Sequence, residues 1–105
     1  AEGRALIDAG ALALSQDRGW QAPGDEACYG IAVDIDGRPL PGPPRIVGVN
    51  QEHGFLTGLE NGVEIGQRLR VLPNHACSMA AMYDRYHVVD GGTEIVAVWQ
   101  RINGW

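Results

Sequence analysis

"CYGIAVDIDGR", residues 28–38, sets the reading of the chain. Ile31, Val33 and Ile35 fall on one side of an extended backbone, with Asp34 and Asp36 on the other, the period-two pattern of a half-buried strand. Asp36-Gly37 then supplies a turn. Downstream, "PLPGPP" at 39–44 is a loop, because proline has no N–H for a sheet interior. "RIVGVN" (45–50) reads as a strand, "QEHGFLTG" (51–58) as an irregular stretch or second strand, and "NGVEIGQ" (61–67) as a turn-rich connector. In "QRLRVLP" (67–73), Leu69 and Val71 alternate with Arg68 and Arg70 until Pro73 ends the run. "CSMAAMY" (77–83) is rich in Ala and Met and predicts one or two helical turns. "YHVVDGGTEIVAVWQRI" (86–102) predicts a hairpin closed by Asp90-Gly91-Gly92. Upstream, "RALIDAGALALS" (4–15) reads as strand, with Leu12 and Leu14 alternating and Gly10 interrupting. The sum is an all-β class: a compact barrel or sandwich with at most a short helix near 77–83.

A chain of 105 residues suffices for one domain with one core, and the expected organisation is a single domain over 1–105. Fifteen glycines and six prolines fit many short strands and turns. Thirteen acidic against eight basic residues give a formal charge of −5, which repels phosphate backbones and anionic lipid heads. Nucleic acid and membrane surfaces are therefore poor partners. No apolar run is long enough to span a bilayer and no basic, apolar leader opens the chain. All eight basic residues are arginines, and Schiff-base chemistry needs a primary amine that can lose its proton. This chain cannot tether pyridoxal phosphate alone. Cys28 and Cys77 do not make a disulfide framework, so reduced thiols in a cytoplasmic setting are expected. The first residue is not Met; a cut through a longer protein is one of the origins this allows.

His75 and Cys77 stand one alanine apart in "VLPNHACSMAAMYDRY" (71–86). If the strand continues through them, both side chains reach one face with their Cα atoms about 7 Å apart, a spacing suited to a shared ion. A helix starting near Ser78 would add amide groups that favour the thiolate. Against this, two residues are half a tetrahedral set, and a cysteine beside an apolar strand is often a small core residue. His53 and His87 complete no metal motif.

"VLPNHACSMAAMYDRYHVVDGG", with "ALIDAGALALSQDRG" and "NQEHGFLTG", resembles the C-terminal domain of the D-threonine aldolase and D-serine dehydratase family, "PNHAC" being the most specific element. The resemblance runs over nearly the whole chain. It implies a β domain like that of alanine racemase, cut from a fold-type III pyridoxal phosphate lyase whose N-terminal (β/α)₈ barrel carries the Schiff-base lysine. It also implies that His75 and Cys77 hold a divalent ion beside the pyridoxal ring, with zinc favoured by the soft thiolate and manganese possible. Open positions on the ion would take water and the β-hydroxyl of a D-3-hydroxy amino acid. The isolated domain is expected to be inactive, with the barrel, in the same gene or a separate chain, as its partner. A non-enzymatic interaction module is the alternative.

Glu52 and His53 match a family-like "EHG" element, with a turn held by Gly54 as the competing role. Asp8, Ser15 and Asp17 suit backbone hydrogen bonding at strand ends; Tyr83 and Tyr86 suit packing. Cys28 and His53 are the candidate third and fourth ligands of a structural zinc. The barrel-facing surface is expected to be apolar around Met79, Met82 and Phe55, hidden by self-association as a homodimer when alone.

Overall fold

The computed structural model describes residues 3–103. Among these the order is β1 (Arg4–Ile7), α1 (Ala11–Leu14), β2 (Gly30–Val33), β3 (Arg45–Val49), β4 (Gly54–Thr57), β5 (Arg70–Pro73), α2 (Ala76–Ala80), β6 (Arg85–Val89) and β7 (Ile95–Gln100). The mainly β class holds. Five strands form one antiparallel sheet in the order β1-β4-β3-β2-β5, and β6 pairs with β7 separately. The large sheet is open: β1 and β5 are its outer strands and flank a groove of about 730 Å³ lined by Ala5, Ile7, Val63, Leu69 and Val71.

Leu14, Ala32, Ile46, Leu56 and Leu59 form the buried core. Ile46 on β3 and Leu56 on β4 are paired in register and fully buried, each worth roughly 1.5–3 kcal/mol relative to an exposed side chain. In β2 both Ala32 and Val33 are buried, so this strand is covered on both sides rather than wet on one. Its turn forms as expected, with Asp34 Oδ1 accepting the amides of Asp36 and Arg38 at 2.9 and 2.7 Å.

The segment 4–15 corrects the sequence reading. Its first half is β1, but its second half is the one-turn helix α1. Alternating Ala and Leu have high helix propensity, and the apparent period of two in Leu12 and Leu14 misleads over so short a run. Helix starts leave amides without intrahelical partners. Here Ala11 and Leu12 donate theirs to the carbonyls of Asn50 and Gln51, at 2.8 and 3.0 Å, in the β3–β4 turn. Gly10 makes that seam feasible: a Cβ there would sit 2.5 Å from both the Asn50 oxygen and the His53 nitrogen.

The β6–β7 hairpin forms where expected, with apolar side chains exposed on both of its faces. Ile95, Val96, Val98 and Trp99 are all exposed, and neighbours along a strand point to opposite sides. Its tethers to the body are polar: Arg70 donates to the Gly92 carbonyl, and Arg101 Nη1 to that of Ala81 at 3.2 Å. Of the apolar positions expected to be bare, Met82 and Phe55 are exposed and Met79 is half-buried. No helix among the described residues is long and apolar enough to cross a membrane.

Candidate metal centre

β5 ends at Pro73, and the chain turns directly into α2. His75 is therefore the residue that caps α2, with φ −125° and ψ 89°, and Cys77 lies in the first helical turn. The strand does not continue through Cys77, because proline at 73 ends the ladder, and the helix expected over 77–83 begins one residue earlier, at Ala76. The two side chains share a helix start instead of a strand face.

The backbone before His75 is fixed from the sheet side. Asn74 donates its amide N–H to the Tyr29 carbonyl at 3.1 Å, and its side-chain Nδ2 to the Cys28 carbonyl at 2.9 Å and Sγ at 3.3 Å. Cys28 is buried, whereas Cys77 is exposed; both are free thiols. On the other side, Tyr83 Oη donates to the Ala13 carbonyl at 2.9 Å, which ties the turn after α2 to α1.

The loop after α1 supplies the residue that grips the imidazole. Ser15, at φ 66°, turns the chain, and its hydroxyl accepts the amide of Asp17 at 3.1 Å. Asp17 Oδ1 accepts the Gly19 amide at 2.7 Å. Its Oδ2 lies 2.6 Å from His75 Nδ1. An ionised carboxylate can only accept, so Nδ1 carries the proton and donates it; in the neutral ring this leaves Nε2 as the nitrogen with a lone pair. The Gly19 amide, then the His75 ring, holds the Asp17 carboxyl below its ordinary range, and Ser78 adds a smaller effect in the same direction. Both side chains remain partly open to solvent, His75 at 37% and Asp17 at 48%.

This donor set suits a divalent ion: an imidazole with one nitrogen engaged by a carboxylate and the other free, followed two residues later by an exposed thiol. Among the described residues no group of three or more His, Cys, Asp or Glu side chains is gathered closely enough to hold an ion. Cys28 and His53 are thus not gathered into a four-ligand site. Cys28 is buried against Asn74, and His53 sits in the β3–β4 turn that receives α1. Glu52 shares that turn, which gives the "EHG" element a structural part. Tyr86 lies in the exposed hairpin opposite Trp99. Asp8 follows β1 and lines the groove between the outer strands. No lysine is present to hold pyridoxal phosphate.

The sequence presents Asp17 as a backbone acceptor. It is one, toward Gly19, but its second oxygen reaches a ring 58 residues away. Only the docking of the α1 loop on the α2 start brings the pair together. The local signal, an Asp in a turn with glycine two residues later, gives half of its role.

Residues 1–89 match the family described as "Putative serine dehydratase domain". D-threo-3-hydroxyaspartate dehydratase from Delftia sp. (strain HT23) is 39% identical over 99% of this chain and 29% of its own length. D-serine dehydratase from Dictyostelium discoideum is 30% identical over 95% of this chain and 26% of its own. The chain thus spans under a third of these relatives. A metal-free cysteine-to-alanine variant of D-threo-3-hydroxyaspartate dehydratase superposes with a TM-score of 0.74, 38% identical, over 99% of this chain and 29% of that one. A second variant of the same enzyme replaces a histidine two positions before that cysteine, with a TM-score of 0.75, 38% identity and coverage of 99% and 28%. An alanine racemase-like protein from Idiomarina loihiensis gives a TM-score of 0.74 at 38% identity, over 97% of this chain and 28% of its own.

Proposed function

The chain belongs to the serine dehydratase domain family, and on that premise we propose that it is the metal-binding β domain of a pyridoxal-dependent lyase that eliminates water from D-3-hydroxy amino acids. His75 and Cys77 are the ligands, and zinc is the ion that a thiolate-imidazole pair favours. The observation that carries this reading is the His75 ring, held through Nδ1 by Asp17 with Nε2 left to coordinate, next to an exposed thiol. The names of the relatives favour dehydration over aldol cleavage. The substituted histidine and cysteine of the Delftia enzyme, two positions apart with a metal-free form of the cysteine variant, support the ligand assignment.

When bound, the ion supplies Lewis acidity to the substrate's β-hydroxyl as it leaves. His75 turns Nε2 toward the ion, Asp17 engages Nδ1, and Asn74 fixes the backbone from which the ring projects. With no lysine in 105 residues, the pyridoxal tether belongs to another part of the protein. The bare β6–β7 hairpin is suited to meeting that part, since it exposes Val96, Val98 and Trp99.

Metal analysis of the complete protein tests the assignment. Stoichiometric zinc or manganese is expected in the wild type, lost in His75→Ala and Cys77→Ala. Wild-type protein with no stoichiometric divalent ion overturns it.

A further inference from the structure

We propose that Asp17 is the positioning residue of the metal centre: by accepting the Nδ1 proton of His75, it fixes both the tautomer and the direction of the ring and so sets the affinity of Nε2 for the ion. The inference rests on His75 being a ligand, and it adds to that site a residue 58 positions away in the sequence.

Three observations converge on it. The Asp17 Oδ2 to His75 Nδ1 distance is 2.6 Å, in the short range of charge-assisted hydrogen bonds. The carboxylate cannot swing away easily, since its other oxygen is engaged by the Gly19 amide at 2.7 Å and its own amide by Ser15 Oγ at 3.1 Å. The loop itself is pressed on the helix start: Gly19 has φ +64°, and a Cβ on it would come within 2.7 Å of the Asn74 carbonyl and 3.5 Å of the His75 Cβ. The ring therefore meets a carboxylate already placed. Ser78 Oγ, 3.2 Å from Nδ1, lies on the same edge of the ring and also supports the Asp17 carboxylate, so neither neighbour competes for Nε2.

A neutral imidazole exchanges between two tautomers, and only the one protonated on Nδ1 offers Nε2 to a cation. An acceptor at Nδ1 selects that tautomer, limits ring rotation and makes the ligand more basic. Outer partners of this kind change metal affinity by about 10- to 100-fold when removed. Asp17→Asn keeps one acceptor oxygen, enough for Nδ1 or for Gly19 but not for both, and drops the charge, so it is expected to fall between the wild type and Asp17→Ala.

The test uses the complete protein, freed of metal and labelled with ¹⁵N-histidine, with His75 assigned by its loss in His75→Gln. At mildly alkaline pH the wild type is expected to give a pyrrole-type Nδ1 and a pyridine-type Nε2; Asp17→Ala moves the ring toward mixed tautomers while the amide spectrum stays folded. Titration with Zn²⁺, and with Co²⁺ read by its thiolate charge-transfer band, is expected to show affinity about 10- to 100-fold weaker in Asp17→Ala, partly restored in Asp17→Asn. Wild-type affinity and an unchanged tautomer in Asp17→Ala overturn the inference while leaving the ligand assignment intact. Failure of the wild type to bind either ion overturns both. An Asp17→Ala protein that does not fold hands the decision to Asp17→Asn, where equal affinity and an unchanged ring refute a positioning role for the carboxylate, and a reduced affinity with a shifted tautomer supports it.

Discussion

The hydroxyl of Tyr83 donates to the main-chain carbonyl of Ala13 across 2.9 Å, joining the turn after α2 to α1 beside the candidate metal centre. Neither helix is long enough to be stable by itself. Each is held by what it touches. Tyr83→Phe removes the donor from a half-exposed site, and a loss of about 0.5–1 kcal/mol is expected, read as a lower denaturation midpoint with an unchanged slope. The α1 loop should also sit less firmly, so zinc affinity is expected to fall by a smaller factor than in Asp17→Ala.

Gly19→Ala combines two penalties, a left-handed backbone at φ +64° and a Cβ 2.7 Å from the Asn74 oxygen. The backbone part costs about 1–2 kcal/mol, and relief of the clash must lift the loop from α2. Thermal unfolding of the variant is expected to begin earlier, and its His75 ring to show the mixed tautomers of Asp17→Ala. Gly24→Ala is the control: its φ is +93° with nothing within 4 Å, so it should lose stability without touching His75.

The pH response of Asp17 follows from the direction of its shift. Hydrogen bonds from Gly19 and then His75 lower its folded-state value below the ordinary 3.8. The unfolded chain therefore binds this proton more tightly, and stability rises with pH through that window. The contribution is complete above the unfolded value and disappears as pH falls through the folded one. The Tm gap between wild type and Asp17→Asn is expected to narrow on acidification from about pH 5 to about pH 3. A constant gap over that range would show that the carboxylate's charge carries none of it.

Val96→Asp with Trp99→Asp probes the hairpin. On a wet surface, substitutions stay within about 0.5 kcal/mol. Against another domain or subunit they bury unpaired charge, and unfolding of the complete protein is expected to drop by well over about 2 kcal/mol. Sedimentation of the double variant separates a lost subunit contact from a loosened domain.

Much of this was legible along the chain. The strands β2, β3, β5 and the β6–β7 hairpin follow from alternation bounded by Gly, Pro and Asp, because that pattern and the fold share one physical cause. Segment 11–14 was missed since four residues are too few to separate a period of two from one of 3.6, and the partners that stabilise α1 lie 39 residues on. The candidate ligand pair is visible as spacing and the helix after Pro73 as composition over 77–83; what the sequence does not show is that the helix begins at Ala76, so that His75 caps it and Cys77 lies in its first turn. Asp17 was visible as a turn residue and invisible as the partner of His75, since nothing local encodes a contact across 58 positions.

The seam between α1 and the β3–β4 turn is written entirely in main-chain atoms, Ala11 and Leu12 amides on Asn50 and Gln51 carbonyls. Such a joint is indifferent to the identity of the side chains that overhang it, so Gln51, Glu52 and His53 form a stretch where spelling can drift. Its length cannot: one residue inserted there would rotate the acceptors away and release the loop that carries Asp17, freeing the His75 ring without altering a single atom of it.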